Sequence, residues 1–425
     1  MPFERPLFKT KAHTPKTHIQ SNLVDNVDNS IDNALETIAS TSIDKSQEML
    51  DVVVCGGGIA GCCVVWQAIR RGLSVGLIDH LRTDSASRVA AGLVTPITGT
   101  RLALSWRWPE FFPAAQSLYA WIEDQSTMGH ALSPFWEVRD AYRIFASREE
   151  AERFESRWMS PTGQQEQRDA GLSLRPLPTA AFGSLRAPWG GMSMSPAARL
   201  ATESFLAATI SVLQPLGRYW PMELDCDRDV QAHDHEVLLP AIHARCRRLF
   251  LCQGFGARAN QWFCELPLHP ARGDILEIET DLAVPQSVVH ADAWFVPLAN
   301  RRGLLGATYD RQTLSSETDS EPGRRAHREL LDRWNRMCEE TPSANLTDSS
   351  STSTRLLRHR AAIRPASYDR HPLIGRHAHS KNIYCLNGLG SKGSLMAPAL
   401  ANQLLDHALN DHAIDPACDW KRRKT

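Results

Sequence analysis

Long apolar runs are missing from these 425 residues: no stretch reaches the ~18 uncharged apolar residues that span a bilayer. The N-terminus also lacks the basic, apolar, small-residue order of a secretory leader, so the expected location is the cytoplasm and no membrane partner is expected. Charge of one sign is absent as well. With 47 Lys+Arg against 48 Asp+Glu and a formal net charge of −1, the chain offers no global field for nucleic acid or an anionic membrane. Cysteine occurs ten times, but never as C-x-x-C, and Cys62 and Cys63 sit side by side in an apolar run. That usage fits buried thiols in a reducing compartment rather than a disulfide framework, and no Cys/His spacing supports a metal. What is present is 42% hydrophobic residues, enough for two or three domains with sizeable cores.

Residues 1–49 are rich in Asn, Asp, Ser, Thr and Lys, with Phe3 and Phe8 as their aromatics and no sustained apolar period. Ordering such a segment costs more than its burial returns, so a disordered extension is expected, with a weak helical tendency over 31–39. Met49 stands just before the first strand-like run, where an initiator would be expected, so 1–48 is expected to be dispensable. Residues 312–325 (with Pro322-Gly323), 342–354 and the Pro/Gly-rich span 176–191 read as irregular connections, and 325–339 as a surface helix. Strand character recurs at 51–55, 73–79, 248–252, 275–278, 293–297, 303–306 and 382–386, and helical periods at 59–71, 110–123, 196–213 and 394–409. Strands alternating with helices imply an α/β fold.

The strongest motif is Asp51-Val-Val-Val-Cys55 flowing into Gly56-Gly-Gly58-Ile59-Ala60-Gly61, then an apolar helix and a second strand ending in Asp79. Gly56 permits the tight turn, Gly58 lets the backbone approach a pyrophosphate, and Gly61 lets helix and strand pack closely. The helix N-terminus presents N–H groups and partial positive charge to phosphates. Asp79 lies 79 − 56 = 23 residues on, where a carboxylate accepts hydrogen bonds from ribose hydroxyls. This is a dinucleotide site, and the fingerprint alone leaves NAD and FAD both open.

Further along come Ser87-Arg88-Val-Ala-Ala91-Gly92-Leu93, Gly254-Phe-Gly256, Pro270-Ala-Arg272-Gly273-Asp, Trp294-Phe-Val-Pro297, Ile363-Arg364-Pro365 with Asp369, and Asn387-Gly-Leu-Gly390-Ser391-Lys392-Gly393. In this order they resemble the D-amino-acid oxidase/glycine oxidase superfamily of FAD-dependent oxidoreductases. The closing run is similar to the flavin domain of the bifunctional tRNA wobble-uridine modifying enzymes. The resemblance implies a Rossmann-like FAD-binding domain of the glutathione-reductase type over 50–130, 190–266 and 360–415. It also implies an α+β substrate domain over 131–189 and 267–359, leaving 416–425 as a tail. It places Gly56, Gly58, Ile59, Ala60 and Gly61 at the pyrophosphate and Asp79 at the adenosine ribose. Ser87, Arg88, Ala91, Gly92 and Leu93 fall along the ribityl chain and ring, Gly254 at a second flavin-side turn, and Gly390, Ser391, Lys392 and Gly393 at the pyrimidine edge.

For chemistry, the resemblance points to Arg364, Lys392 and Trp294. Arg364 stands in the apolar run Ala-Ala-Ile-Arg-Pro, where its planar fork suits a substrate carboxylate; pairing with an internal acid such as Asp369 is the structural alternative. Lys392 is expected to place positive charge at the flavin N1/C2=O edge, or else to contact phosphate or solvent. Trp294 takes a position where relatives often have Tyr, and otherwise reads as a core-facing sheet aromatic. His290 and Asp292 share its segment. The Arg- and Trp-rich stretch 95–108 is expected at the pocket entrance or as a helix N-terminus. His233-Asp-His-Glu236 reads as a turn rather than a metal site, and the basic clusters 245–248 and 421–424 as solvated surface. The implied reaction oxidises a C–N bond of a small amino acid or N-substituted glycine by hydride transfer to flavin N5, with the imine then hydrolysed. O2 or another acceptor takes the electrons. Leu304 stands where sarcosine-oxidase relatives carry an oxygen-activating Lys, and Ala362 where they carry a flavin-linking Cys, so non-covalent FAD is expected. The alternatives are a tRNA-modifying flavin oxidase, a flavoprotein subunit without turnover, and, disfavoured by the flavin-side motifs, an NAD-dependent dehydrogenase.

Overall fold

The computed structural model describes residues 49–127, 134–338 and 354–422, so the expectations for 1–48 and for the loop at 342–353 lie outside the described residues. The first expected strand runs over Met49–Cys55 and alternates its faces from Val52 on: Val52 and Val54 enter one apolar core, Val53 and Cys55 another. A strand apolar on both sides belongs inside a covered parallel sheet. Val75–Ile78 and Ala244–Leu251 pair with it in parallel on either side. Tyr219–Trp220 and Ile383–Asn387 extend this sheet, also in parallel. Leu373–Arg376 adds an antiparallel edge that the sequence pattern did not mark. Helices Ile59–Ile69, Trp108–Thr127, Thr202–Leu213 and Gly393–Asn410 share the core on one face.

A second, nine-stranded sheet begins Thr354–Arg364, Ala271–Thr280, Arg302–Gly306, Trp294–Pro297, Val288–His290, Trp136–Ile144, and continues through Gly191–Leu200 to Leu93–Val94. Its register sets Ile275, Gly306, Trp294, His290 and Arg143 in one cross-strand row. Side chains alternate with period two, so Val288, Val296 and Leu304 share that face, and they join the core that contains the four helices. The opposite face packs Leu276, Ile278, Phe295 and Leu305 against Leu330, Trp334 and Met337 of helix Glu321–Met337. That helix begins earlier than its charge pattern predicts because Ser320 caps it, its Oγ accepting from the Gly323 N–H at 3.4 Å.

One helix is shorter than its period predicts. The span 196–213 becomes helix only from Thr202, and Pro196 belongs to the strand Gly191–Leu200. That strand has partners on both edges, Trp136–Ile144 and Ser173–Leu177, and sheet pairing overrides a local helical period. Pro196 falls where the ladder to Trp136–Ile144 skips register, between the pairs Arg139↔Ala197 and Ala141↔Met194, a break that tolerates a missing N–H. The span 176–191 is likewise more regular than expected, since strand Ser173–Leu177 and a 3-10 turn at Thr179–Phe182 occupy it. In the basic cluster, Arg248 is not solvated surface: its Nε donates to the Ala408 carbonyl at 2.7 Å, tying the parallel sheet to the last helix.

Candidate active site

Between the two sheets runs a cleft of about 1060 Å³. At one end the glycine loop leaves its strand. Gly56 has φ +108°, and a Cβ there would stand 2.4 Å from the Cys252 carbonyl oxygen, so no other residue fits. Gly57, which the motif reading passed over, lines the cleft and donates its N–H to Asp79 Oδ1 at 2.9 Å. A Cβ at Gly58 would meet the Ser87 hydroxyl at 2.9 Å, and that hydroxyl accepts from the Ile59 N–H at 2.9 Å. Gly61 does not line the cleft; a Cβ there would lie 1.9 Å from the Gly56 carbonyl, so its part is to seat the helix on the loop.

Ser87, Arg88, Ala91, Gly92 and Leu93 line the cleft wall beside this loop. Gly92 has φ +72° and packs under the Leu200 carbonyl, which carries the segment across to the second sheet. Arg88 Nη2 is buried without a hydrogen-bond partner and stands 3.8 Å from Asp79 Oδ2. Across the cleft, Gly254 is fixed by Asn387, whose Nδ2 donates to its carbonyl at 2.8 Å. Gly390, Ser391 and Gly393 also line the cleft, as does Trp294, whose indole covers Gly306.

Lys392 departs from its expected place. Unlike its loop neighbours it does not line the cleft; its Nζ lies 3.4 Å from Ser105 Oγ, whose hydroxyl donates to the Thr95 carbonyl. Burial pushes the Lys392 ammonium down to about 8. His290, on the same sheet face as Trp294, has a buried Nε2 with no partner, and burial pushes the imidazole down to about 3. Asp292 is turned away from the cleft and held by Arg336 at 2.6 Å. None of the stretch 95–108 lines the cleft: Arg107 pairs with Glu110 and Asp415, and Trp106 stacks on His371 with 4.5 Å between centroids. His233–Glu236 is a hairpin turn, and among the described residues no cluster of three metal-ligating side chains occurs.

Arg364 lines the cleft floor at the end of strand Thr354–Arg364. Its guanidinium occupies the space a side chain at Gly273 would fill, since a Cβ there would stand 2.0 Å from Nη2. Nη1 donates to the carbonyls of Arg272 (3.3 Å) and Thr308 (3.1 Å), and the group lies over the Tyr309 ring at 5.7 Å. Burial pushes its pKa down, opposed by Tyr309 and Asp274. Among the described residues no carboxylate forms an ion pair with it. Asp369, the suspected partner, is taken instead by Arg422 at 2.7 Å. Hydrogen bonds from Arg422 hold the Asp369 carboxyl well below the usual carboxylate range. A depressed folded-state pKa gives stability that is present above about pH 4, the unfolded value, and fades as pH falls below it. Asp369→Asn is therefore expected to lower thermal stability at pH 7, with the gap to the parent closing below about pH 4 in melting curves.

The expected irregular connection at 312–325 also contributes to the cleft, a role its sequence did not mark. Leu314, Ser315 and Ser316 line the cleft, and Ser316 Oγ donates to Asp84 Oδ2 at 2.6 Å. Its polar, pattern-free sequence carries no signal beyond that of a loop.

A cleft lined by a glycine-loop helix terminus, the Asp79 carboxylate and Arg88, whose buried Nη2 makes no hydrogen bond, fits a dinucleotide with a pyrophosphate, and the site defines a dinucleotide-dependent oxidoreductase. Residues 51–407 match the family described as FAD dependent oxidoreductase, and the chain belongs to that family. Its fold is similar to glycine oxidase from Geobacillus kaustophilus, with a TM-score of 0.68, 18% identity, and coverage of 89% of this chain and 100% of that one. It is similar also to L-proline dehydrogenase from P. horikoshii, with a TM-score of 0.67, 14% identity, and coverage of 88% and 98%. Among curated proteins it is similar to the tRNA 5-methylaminomethyl-2-thiouridine biosynthesis bifunctional protein of Idiomarina loihiensis, 24% identical over 84% of this chain and 55% of that protein. The Marinobacter nauticus protein of the same name is 31% identical over 36% of this chain and 23% of its own length. The chain thus spans about half or less of the curated relatives it matches. It is an FAD-dependent oxidoreductase. No helix among the described residues is long and apolar enough to cross a membrane.

Proposed function

We propose that the chain oxidises a C–N bond of a small amino acid or N-substituted glycine whose carboxylate is gripped by Arg364. One observation carries the reading: a half-buried guanidinium on the cleft floor, aimed by two carbonyls and without an acid of its own. A buried cation without a counter-charge is costly, and an incoming carboxylate matches its fork. Bound FAD supplies the acceptor for the hydride that leaves the carbon beside the amine. The glycine loop, Asp79 and the 87–93 wall hold that cofactor, within segments 50–130, 190–266 and 360–415. Ala362, where sarcosine-oxidase relatives carry their flavin-linking Cys, lines the cleft, which supports non-covalent attachment. Arg364 and Trp294 orient the substrate and exclude water, which is where most of the rate gain from positioning arises. Lys392 sits behind its loop and adds positive charge there rather than a contact. Ten unpaired thiols suit a reducing compartment such as the cytoplasm.

A second reading, a tRNA-modifying flavin oxidase, draws on the rim. Tyr309 (54% exposed) lies under both Arg364 and Arg311, Arg311 bonds to His269, and His269 stacks on Tyr368 (59% exposed). Exposed rings beside guanidinium groups are a surface on which an unpaired base stacks. Anaerobic mixing of the yellow holoenzyme with a panel of small amino acids, N-substituted glycines and total tRNA separates the two. Bleaching by the small molecules supports the first reading, bleaching by tRNA alone the second, and peroxide on admitting air marks an oxidase.

A further inference from the structure

Arg364 is aimed by main-chain atoms, and those atoms belong to one buried polar cluster centred on Asp274. Asp274 holds Arg272 side-on, Nε to Oδ2 at 3.0 Å and Nη2 to Oδ1 at 2.7 Å. Thr308 Oγ1 donates to Asp274 Oδ2 at 2.8 Å and accepts from the Asp274 N–H at 2.9 Å. His359 Nε2 stands 2.9 Å from Oδ1. The Arg272 and Asp274 side chains are each 1% exposed. Burial pushes the Asp274 carboxyl up, but hydrogen bonds from His359, Arg272 and Thr308 outweigh it and hold it at about 2. An ion pair this deeply buried adds little net stability over apolar packing, so its presence asks for another role.

The geometry supplies one. Arg272 and Asp274 lie on the face of their strand turned away from the cleft, while Gly273 between them lies under the Arg364 guanidinium. Main-chain hydrogen bonds between Arg272 and Asp310 (2.6 and 3.0 Å) continue the clamp that the Thr308 hydroxyl begins. The two carbonyls that receive Arg364 Nη1 belong to Arg272 and Thr308, two of the three residues whose side chains Asp274 holds, His359 being the third.

We propose that Asp274 is a positioning residue for carboxylate recognition: it locks the Arg272 and Thr308 carbonyls that aim Arg364, while its own charge is spent on Arg272. Arg364 is thereby held in place by neutral acceptors, and its charge is left for the substrate. A carboxylate placed directly on Arg364 would give the same rigidity but would have to be displaced by each incoming substrate. The inference rests on the proposed role of Arg364.

The test uses the holoenzymes of Thr308→Val, which removes the hydroxyl and keeps the shape, and Asp274→Asn, alongside Arg364→Lys. The readout is the dissociation constant of acetate, followed by the change it causes in the flavin spectrum, together with steady-state kinetics on N-methylglycine and its methyl ester. Both clamp variants are expected to weaken acetate binding about tenfold and to raise KM for N-methylglycine more than they lower kcat, with little change toward the ester. Thr308→Val carries the test alone if Asp274→Asn leaves no soluble holoenzyme. Equal losses toward acid and ester, or unchanged acetate binding in the clamp variants while Arg364→Lys loses it, would overturn the positioning role. Unchanged acetate binding in Arg364→Lys would overturn the reading of the site itself, and the positioning role with it.

Discussion

Gly58→Val is expected to yield folded but colourless protein. The prediction turns on what a side chain would meet. At Gly56 a Cβ runs into the Cys252 carbonyl at 2.4 Å, and at Gly61 into the Gly56 carbonyl at 1.9 Å, so substitution there breaks the strand–loop–helix unit itself. At Gly58 the backbone is extended, with φ −80° and ψ −177°, a conformation open to any residue. The obstacle there is the Ser87 hydroxyl at 2.9 Å, at the helix terminus lining the cleft. Valine at that point fills space the cofactor's phosphates need while the neighbouring backbone is left alone. Flavin absorbance per mole of purified protein is expected to fall close to zero, with the helical signal in circular dichroism kept. Normal flavin content in this variant would remove the glycine loop from the cofactor site.

Arg364→Lys carries the second large effect. Lysine keeps the charge and loses the planar fork, and its flexible stem cannot hold the two carbonyl contacts and a carboxylate together. Apparent affinity for a carboxylate substrate is expected to fall by roughly 1–3 kcal/mol, about 5- to 150-fold, with flavin content unchanged. Rapid mixing of reduced-state kinetics against substrate concentration measures it. An unaltered reductive half-reaction would make Arg364 a structural residue.

The cofactor side of the cleft was legible because its signals are local. Strand, glycine spacing, helix and Asp79 fall within one short unit, where Gly57 meets Asp79 and Gly61 packs on the Gly56 carbonyl; the contacts of Gly56 with Cys252 and of Gly58 with Ser87 lie outside it. The substrate side is set at a distance. Arg364 and the Arg272 carbonyl that receives it are 92 residues apart, and they meet through the register of two long strands. Nothing near Arg364 in the sequence separates Asp369, which went to Arg422, from a true partner. Gly273 was visible as a motif residue, yet its use, as the space for a guanidinium, depends on the same register. For Lys392 the loop was readable and the side-chain direction was not, because that direction follows from Ser105, 287 residues away. Pro196 shows the same limit in the fold, where edge pairing on two sides outweighed a helical period.

The central claim is that bound flavin is reduced by an amine whose carboxylate is held by Arg364. Its most direct measurement is anaerobic titration of the holoenzyme with an N-substituted glycine and, separately, with its methyl ester. The account predicts full bleaching of the flavin by the acid at far lower concentration than by the ester, with that preference lost in Arg364→Lys. Equal bleaching by acid and ester, or the same preference in Arg364→Lys as in the parent, would contradict it.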